Sequence, residues 1–346
     1  MDYSEKIKAI MAITGKKQET LAKELGVTFA AFNRWVNNKS KPRPMAQTKI
    51  NNMLVNQTGM RGVYGLPHQN KVGLPKAHLI LREEALHLQN KKYPDVINTI
   101  LKNPDIRDQI ILSLTYHSNK IEGSTLSEAE TASIIFHNIA LKNKTITEQV
   151  EAKNHQAALI YMFNYVQDMT VNKTASIKTI DENFILKIHA ILMNGIRQDA
   201  GQYRNHGVRI VGSFVPTANH MKLRDIMSVF AKKINSLIQK KITKTLKTDK
   251  QEYTAGQYIR GCAKLHAEFE QIHPFSDGNG RVGRIILNAM LLARNLPPAV
   301  ILQTKKAKYY SSLNNAQLKG QFDQIEEYIA DAVIAGYRMV NREIVK

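Results

Sequence analysis

A single cysteine, Cys262, stands in this chain of 346 residues. That excludes an intramolecular disulfide, and no group of cysteines and histidines falls at structural-zinc spacing. A reducing compartment is the simplest expectation. Long apolar runs are missing too: the longest, Ile285 to Ala293, is interrupted by Asn288 and is far too short to span a bilayer. The opening residues Met1 to Lys6 have no apolar stretch behind a basic start, which argues against a Sec-type signal. The expected location is the cytoplasm with no membrane partner, although export by a specialised secretion machine need leave no N-terminal signature. Gly-x-x-x-x-Gly-Lys-Ser/Thr does not occur, so a P-loop is excluded. Acidic residues are scarce, with 29 Asp+Glu against 49 Lys+Arg and a net charge of +20. Such an excess favours a polyanionic partner or a phosphorylated ligand and is silent on fold. The apolar fraction of 43% and charged fraction of 23% are those of globular proteins. The length suits roughly two domains at ~150 residues each.

What is present begins with a helical module over residues 1–57. Ile7, Ile10 and Met11 predict a first helix, and Leu21, Ala22 and Leu25 a second ended by Gly26. A third is capped by Thr28 and carries Phe29, Phe32, Trp35 and Val36. A fourth periodic stretch holds Ile50, Met53 and Leu54. From Gln18 to Val27 and on through Asn38, the chain resembles the repressor-like helix-turn-helix domains. The module has ten basic and four acidic residues, a net +6 that suits phosphate contacts. Duplex DNA is the partner that resemblance implies, with Asn33, Arg34 and Asn37 as base readers. The competing use is a bundle for dimerisation or docking in which Phe32 and Trp35 are merely core.

Residues 58–80 scatter four glycines and two prolines without a period, and they read as a joint. Helical periodicity dominates from 81 to 346, which is expected to form one catalytic domain. One stretch alternates instead, Val208 to Val215, and its central Gly212-Ser213 predicts a β-hairpin. The lysines of 232–250 read as a solvated helix end and loop.

Chemistry concentrates in His273-Pro-Phe-Ser-Asp-Gly-Asn-Gly-Arg-Val-Gly-Arg284. This run is too polar and glycine-rich for a core, yet apolar helical patterns flank it. Pro274 disfavours helix at His273 and so ends the preceding one. Gly278 and Gly280 permit the positive φ that lets backbone N–H groups converge on an anion, at the N-terminus of the next helix. Arg281 and Arg284 are three apart on that first turn and suit phosphate oxygens. Asp277 offers a hard oxygen for a Mg²⁺ that already carries phosphates. His273 is the side chain there that titrates near neutrality, hence the candidate general base. Together these are the parts of a nucleotide-triphosphate site.

The same twelve residues resemble the signature of the Fic family, His-Pro-Phe-x-(Asp/Glu)-Gly-Asn-Gly-Arg-x-x-Arg, without a departure. The similarity extends from about 105 to 300. It implies an all-α fold: a Fic helical core with a small β-hairpin flap, here preceded by the helix-turn-helix bundle. It implies transfer of AMP from ATP to a Ser, Thr or Tyr hydroxyl of a target protein. On that basis His273 deprotonates the hydroxyl and Asp277 holds Mg²⁺. Gly278, Asn279 and Gly280 fix the phosphates, and Arg281 and Arg284 neutralise them. The flap, with Val208, Ile210, Val211 and Phe214, would pair with the target backbone. Phe275 is expected to anchor the loop, and His266 to support it rather than act as a second base.

Upstream, Ser118-Asn119-Lys120-Ile121-Glu122-Gly123 resembles the family's inhibitory motif. Its glutamate, Glu122 here between Ser118 and Gly123, would reach Arg284 and block placement of the γ-phosphate. The expectation is therefore an autoinhibited adenylyltransferase using ATP and Mg²⁺, with a homodimer also open. Three alternatives stand beside it: a de-adenylylase in which Glu122 positions water, transfer of another phosphate-containing group, against which the intact Gly-Asn-Gly-Arg speaks, and a DNA-bound regulator that senses nucleotide.

Overall fold

The computed structural model describes residues 3–14, 16–47, 49, 50, 53, 95–170, 179–240 and 254–341. The expected joint at 58–80, Leu54 and the lysines beyond 240 lie outside these residues. The chain divides into two compact units, Met1–Lys91 and Lys92–Lys346.

In the first unit, α1 (Tyr3–Thr14), α2 (Gln18–Leu25) and α3 (Phe29–Val36) precede helical residues at 44–47, 49, 50 and 53. Gly26 ends α2 in the left-handed region at φ +71°, and its N–H turns back to Ala22 and Lys23. Two residues later the Thr28 side chain accepts from Ala31 N and starts α3. The apolar stripes of all three helices close over one cluster containing Ile7, Ile10, Leu21, Leu25, Phe32, Trp35 and Ile50.

The second unit is built of α4 (Val96–Lys102), α5 (Pro104–Ile121), α6 (Glu128–His137), α7 (Ile146–Thr170), α8 (Glu182–Leu192), α9 (Leu223–Ile238), α10 (Ala255–Ile272), α11 (Asn279–Ala293), α12 (Lys306–Lys319) and α13 (Asp323–Val340). Its starts follow from capping residues: Asn103 before Pro104, a Ser127–Glu130 capping box, Asp181, and a Thr254–Gln257 box. α11 is the central strut, buried at every residue from Arg281 to Ala293 and packed by α7, α8 and α10. The longest apolar run of the sequence is thus a core helix. Among the described residues no helix is long and apolar enough to cross a membrane.

Two helices escaped the periodicity. α4 has only seven residues, too few to display a period, and α12 buries just Tyr309, Ser312, Leu313 and Ala316 beneath a polar surface. The expected hairpin at 208–215 needs correction: the described residues contain no strand. The chain does turn there, with Gly212 at φ +73° and Ser213 N donating to Ile210 O at 3.1 Å. One bond across its base, Thr217 Oγ1 to Val208 O at 2.8 Å, takes the place of a ladder. A two-stranded ribbon standing alone is marginal in water, which is why alternation by itself does not pair it.

Candidate active site

The loop between α10 and α11 is held from all sides. His273 caps α10 in the left-handed region at φ +51°, a conformation that a non-glycine residue keeps only when its surroundings enforce it. The enforcing group is Arg204, which is 3% exposed. Its guanidinium donates to His273 O and His206 O at 2.7 Å each and to Ala218 O at 2.5 Å, while its own N–H donates to Pro274 O at 3.0 Å. Phe275, fully buried, anchors the loop as expected. It stacks on the His189 ring at 3.8 Å between centroids. His189 accepts from Gly201 N through Nδ1 at 2.9 Å, which leaves Nε2–H to donate to Asp277 O at 3.2 Å. Burial pushes its pKa down to about 4, so it bonds as the neutral ring.

Asn279 braces the loop from within. Its side chain accepts from Phe275 N at 2.9 Å and donates to Phe275 O at 2.8 Å, so its amide shapes the loop. The backbone of Gly278 does adopt positive φ, at +77°, and Gly278 N bonds Asp277 Oδ1 at 2.6 Å. A Cβ at Gly278 would collide with Met193. The loop therefore curls over α8, with the Asp277 carboxylate exposed at its tip.

His273 Nδ1 lies 3.1 Å from Glu270 O. A carbonyl only accepts, so Nδ1 carries the proton and Nε2 keeps a lone pair. Burial lowers the pKa of His273, with Arg204 adding to the effect and the Glu270 carbonyl, Glu122 and Asp277 opposing it. The ring is set up as a neutral base.

Both arginines are buried and already engaged. Arg281 Nη1 pairs with Glu151 Oε1 of α7 at 2.7 Å. Arg284 Nε donates to Ser118 Oγ at 2.9 Å, and its Nη2 reaches Ser118 O at 3.2 Å and Glu122 Oε1 at 2.6 Å. Burial works against the charge of Arg284, but Glu122 and the surrounding acidic groups hold its pKa above the ordinary value. Each guanidinium keeps one buried nitrogen without a partner, Arg281 Nε and Arg284 Nη1, and Ser276 Oγ is likewise orphaned. Three unmet polar atoms around an anion-seeking loop fit phosphate oxygens. As for Mg²⁺, no group of three or more His, Cys, Asp or Glu among the described residues could hold a metal. A lone carboxylate such as Asp277 suits Mg²⁺ ligated mainly by phosphates and water.

His266 supports the site as expected: its nitrogens are bound to Gly283 O at 3.2 Å and Tyr309 OH at 2.6 Å. Glu122 and Gly123 end α5, with Gly123 at φ +111°, so the carboxylate leaves the helix end and lies over Gly280. The flap residues stand apart: Val211 is 99% and Phe214 95% exposed, while Val215 is buried. In the first unit Arg34 and Asn37 are exposed, and Asn33 is half-buried, bonded to Gln18 Oε1 at 3.1 Å and to Asn37 at 2.9 Å. Sequence reasoning gave no role to His189, Arg204, Glu151 or Glu270. Arg204 and Glu270 fall in stretches that the resemblance covers, 201–204 and 266–272, but their inward placement was not visible.

The geometry defines a helical domain with a histidine-led anion loop, and comparison with known proteins agrees. Residues 179–291 match the model of the Fic/DOC family. The chain is 31% identical over 217 residues, 62% of its length, to protein adenylyltransferase Fic of Aedes aegypti. With the protein of that name from Nematostella vectensis the identity is 34% over 202 residues, 58% of the chain. It spans only 39% and 42% of the length of these two relatives. Among solved structures, a Fic domain containing signaling protein from Bacteroides thetaiotaomicron superposes with a TM-score of 0.59 at 20% identity, covering 77% of this chain and all of the other. Fic-1 (aa134 - 508) from C. elegans gives 0.53 at 20% identity over 98% of this chain and 96% of its own. At these identities the structural likeness is one of fold.

Proposed function

We propose that the protein transfers AMP from ATP to a hydroxyl side chain of a target protein and that Glu122 restrains it. The observation that carries this reading is the loop itself: a neutral histidine with Nε2 unprotonated, beside two arginines and a serine whose buried polar atoms lack partners. His273 Nε2 takes the proton of the target hydroxyl, whose oxygen attacks the α-phosphate. The bond to the bridging oxygen breaks and pyrophosphate departs. The amides at Gly278 and Gly280, with Arg281 and Arg284, bind the phosphates and stabilise the charge that spreads over them. Asp277 would hold the Mg²⁺, which supplies further positive charge to the phosphates when bound. The flap turn, with Val211 and Phe214 exposed, is where a target segment would lie extended.

Restraint follows from the ion pair of Glu122 with Arg284, which occupies the guanidinium that the γ-phosphate needs. The same carboxylate would serve a de-adenylylase by positioning water. For the first unit, α2, its three-residue turn and α3 support a helix-turn-helix that docks duplex DNA through exposed Arg34 and Asn37. Incubation with α-labelled ATP, Mg²⁺ and a host lysate tests the activity. Label on protein that requires His273 supports it, and label that survives His273→Ala contradicts the assignment of the base.

A further inference from the structure

Glu270 lies on the last turn of α10, three residues before His273, with its carboxyl turned inward. The residue is 8% exposed, and Oε1 has no hydrogen-bond partner. That oxygen lies so close to Gly283 that a Cβ there would collide with it, just as a Cβ at Gly280 would collide with Glu122 Oε1. Gly280 and Gly283 are three apart and share one side of the first turns of α11. Two carboxyls therefore flank one helix face, and the charge of Arg284 acts on both. Glu122 is bonded to that guanidinium at 2.6 Å, whereas Glu270 Oε1 is bonded to nothing. Glu268, two residues away, instead has a surface lysine, Lys233, at 2.6 Å.

The groups around Glu270 leave it no other cation. On its own helix His266 Nε2 is 3.9 Å from Oε1, but burial drives that ring down to about 3 and Tyr309 holds the nitrogen. Tyr309 and Tyr310 face it from α12 as neutral phenols whose own ionisation it opposes. Arg284 of α11 and Glu122 at the end of α5 are the charges that act on it, with none from α9 or α13.

We propose that Glu270 is a proton-bearing partner of the nucleotide site: as the neutral acid it leaves Arg284 available to a phosphate, and as the carboxylate it competes for that guanidinium and repels the triphosphate. The proposal rests on the reading of the loop as a nucleotide site. Burial pushes this carboxyl up to about 7, against the pull of Arg284 and with the help of Glu122. A bound triphosphate brings more negative charge and raises it further. A group whose pKa rises on binding weakens that binding above its free-state pKa, by up to about tenfold for each unit of rise.

The test is equilibrium dialysis of ATP with Mg²⁺ against the full chain carrying Glu122→Gly, with and without Glu270→Gln, from pH 5 to 8.5, the range extended downward because loss of the Glu122 charge lowers the Glu270 pKa. Titration of ATP itself cancels in the ratio of the two dissociation constants. That ratio should be near one at pH 5, and at pH 8.5 the protein that keeps Glu270 should bind about tenfold more weakly. A ratio that stays at one across the range overturns the proposal. Failure of both folded proteins to bind ATP at any pH overturns the nucleotide reading and this proposal with it. Infrared difference spectra of the unsubstituted protein give a second readout, independent of whether Glu270→Gln folds. A protonated carboxyl band should fade as pH rises through about 7, and its absence at pH 6 contradicts the proposal.

Discussion

The loop at 273–284 and the turn at 207–219 differ in how their conformations are held. In the loop the backbone is held by side chains: Arg204 binds its first carbonyl, His189 its Asp277 carbonyl, Asn279 both sides of Phe275. In the turn, two apolar side chains stand in water and one side-chain bond spans the base. A rigid pocket suits chemistry that depends on placing a base and phosphates to within a fraction of an ångström. A turn with unspent backbone and apolar groups suits recognition of an extended partner. Arg204 joins the two, since it binds Ala218 O at the end of the turn as well as His273 O.

The largest effect that would sharpen this contrast is on the rigid side. His273→Ala should lower the transfer rate by about 10²–10⁴-fold while ATP binding persists, since the base is lost and the phosphate ligands stay. Paired rate and binding measurements check it. Arg204→Ala attacks the frame instead of the chemistry. It strips a donor from several buried carbonyls, each costing about 1–3 kcal/mol when left unmet. The second unit should lose about 3 kcal/mol or more and melt roughly 6–12 °C lower in calorimetry.

The buried histidines make a pH-dependent claim on the same frame. Burial holds His117 and His189 down to about 4, His266 to about 3, and His155 well below its ordinary value. Unfolded, each binds a proton near ~6.5. Their stabilisation is therefore full above that pH and is lost as pH falls toward the folded values. Glu270 has the opposite sign, because its folded pKa is raised: what it contributes is present at low pH and lost as pH rises toward 7. Four groups against one leave a net loss of about 5 kcal/mol between pH 7 and 5, at ~1.4 kcal/mol per group per unit. Denaturant titrations at the two pH values should show it, and the loss should shrink in His189→Gln. The smallest stability effect is at the turn. Phe214→Ala should change stability by no more than about 0.5 kcal/mol, as for other exposed sites. Labelling of target protein should nevertheless fall while ATP binding stays the same. Equal losses in binding and labelling would mean that the turn is part of the pocket.

Much of the site was legible because its chemistry is packed into twelve consecutive residues, and a loop bounded by Pro274 and two glycines announces its own geometry. The supports were not, because they come from far along the chain. His189 meets Asp277 across 88 positions and Glu151 meets Arg281 across 130. Neither belongs to a local pattern. For Asn279 the sequence does not show that Phe275 takes both ends of its amide. The hairpin failed for the reverse reason: alternation was present, but a strand also needs a partner to fill its ladder.

The pair of Glu122 and Arg284 is the central claim, and one measurement meets it directly. Transfer of α-labelled AMP to protein is compared for the unsubstituted chain, Glu122→Gly, and Glu122→Gly with Arg284→Ala. A charge-assisted bond of this kind is worth roughly 1.5–3 kcal/mol, so its removal should raise labelling about 10–100-fold. The added Arg284→Ala should abolish the gain, because the freed guanidinium is itself the phosphate ligand. The account is contradicted if Glu122→Gly labels no better than the unsubstituted chain and instead loses the ability to remove AMP from an already modified protein.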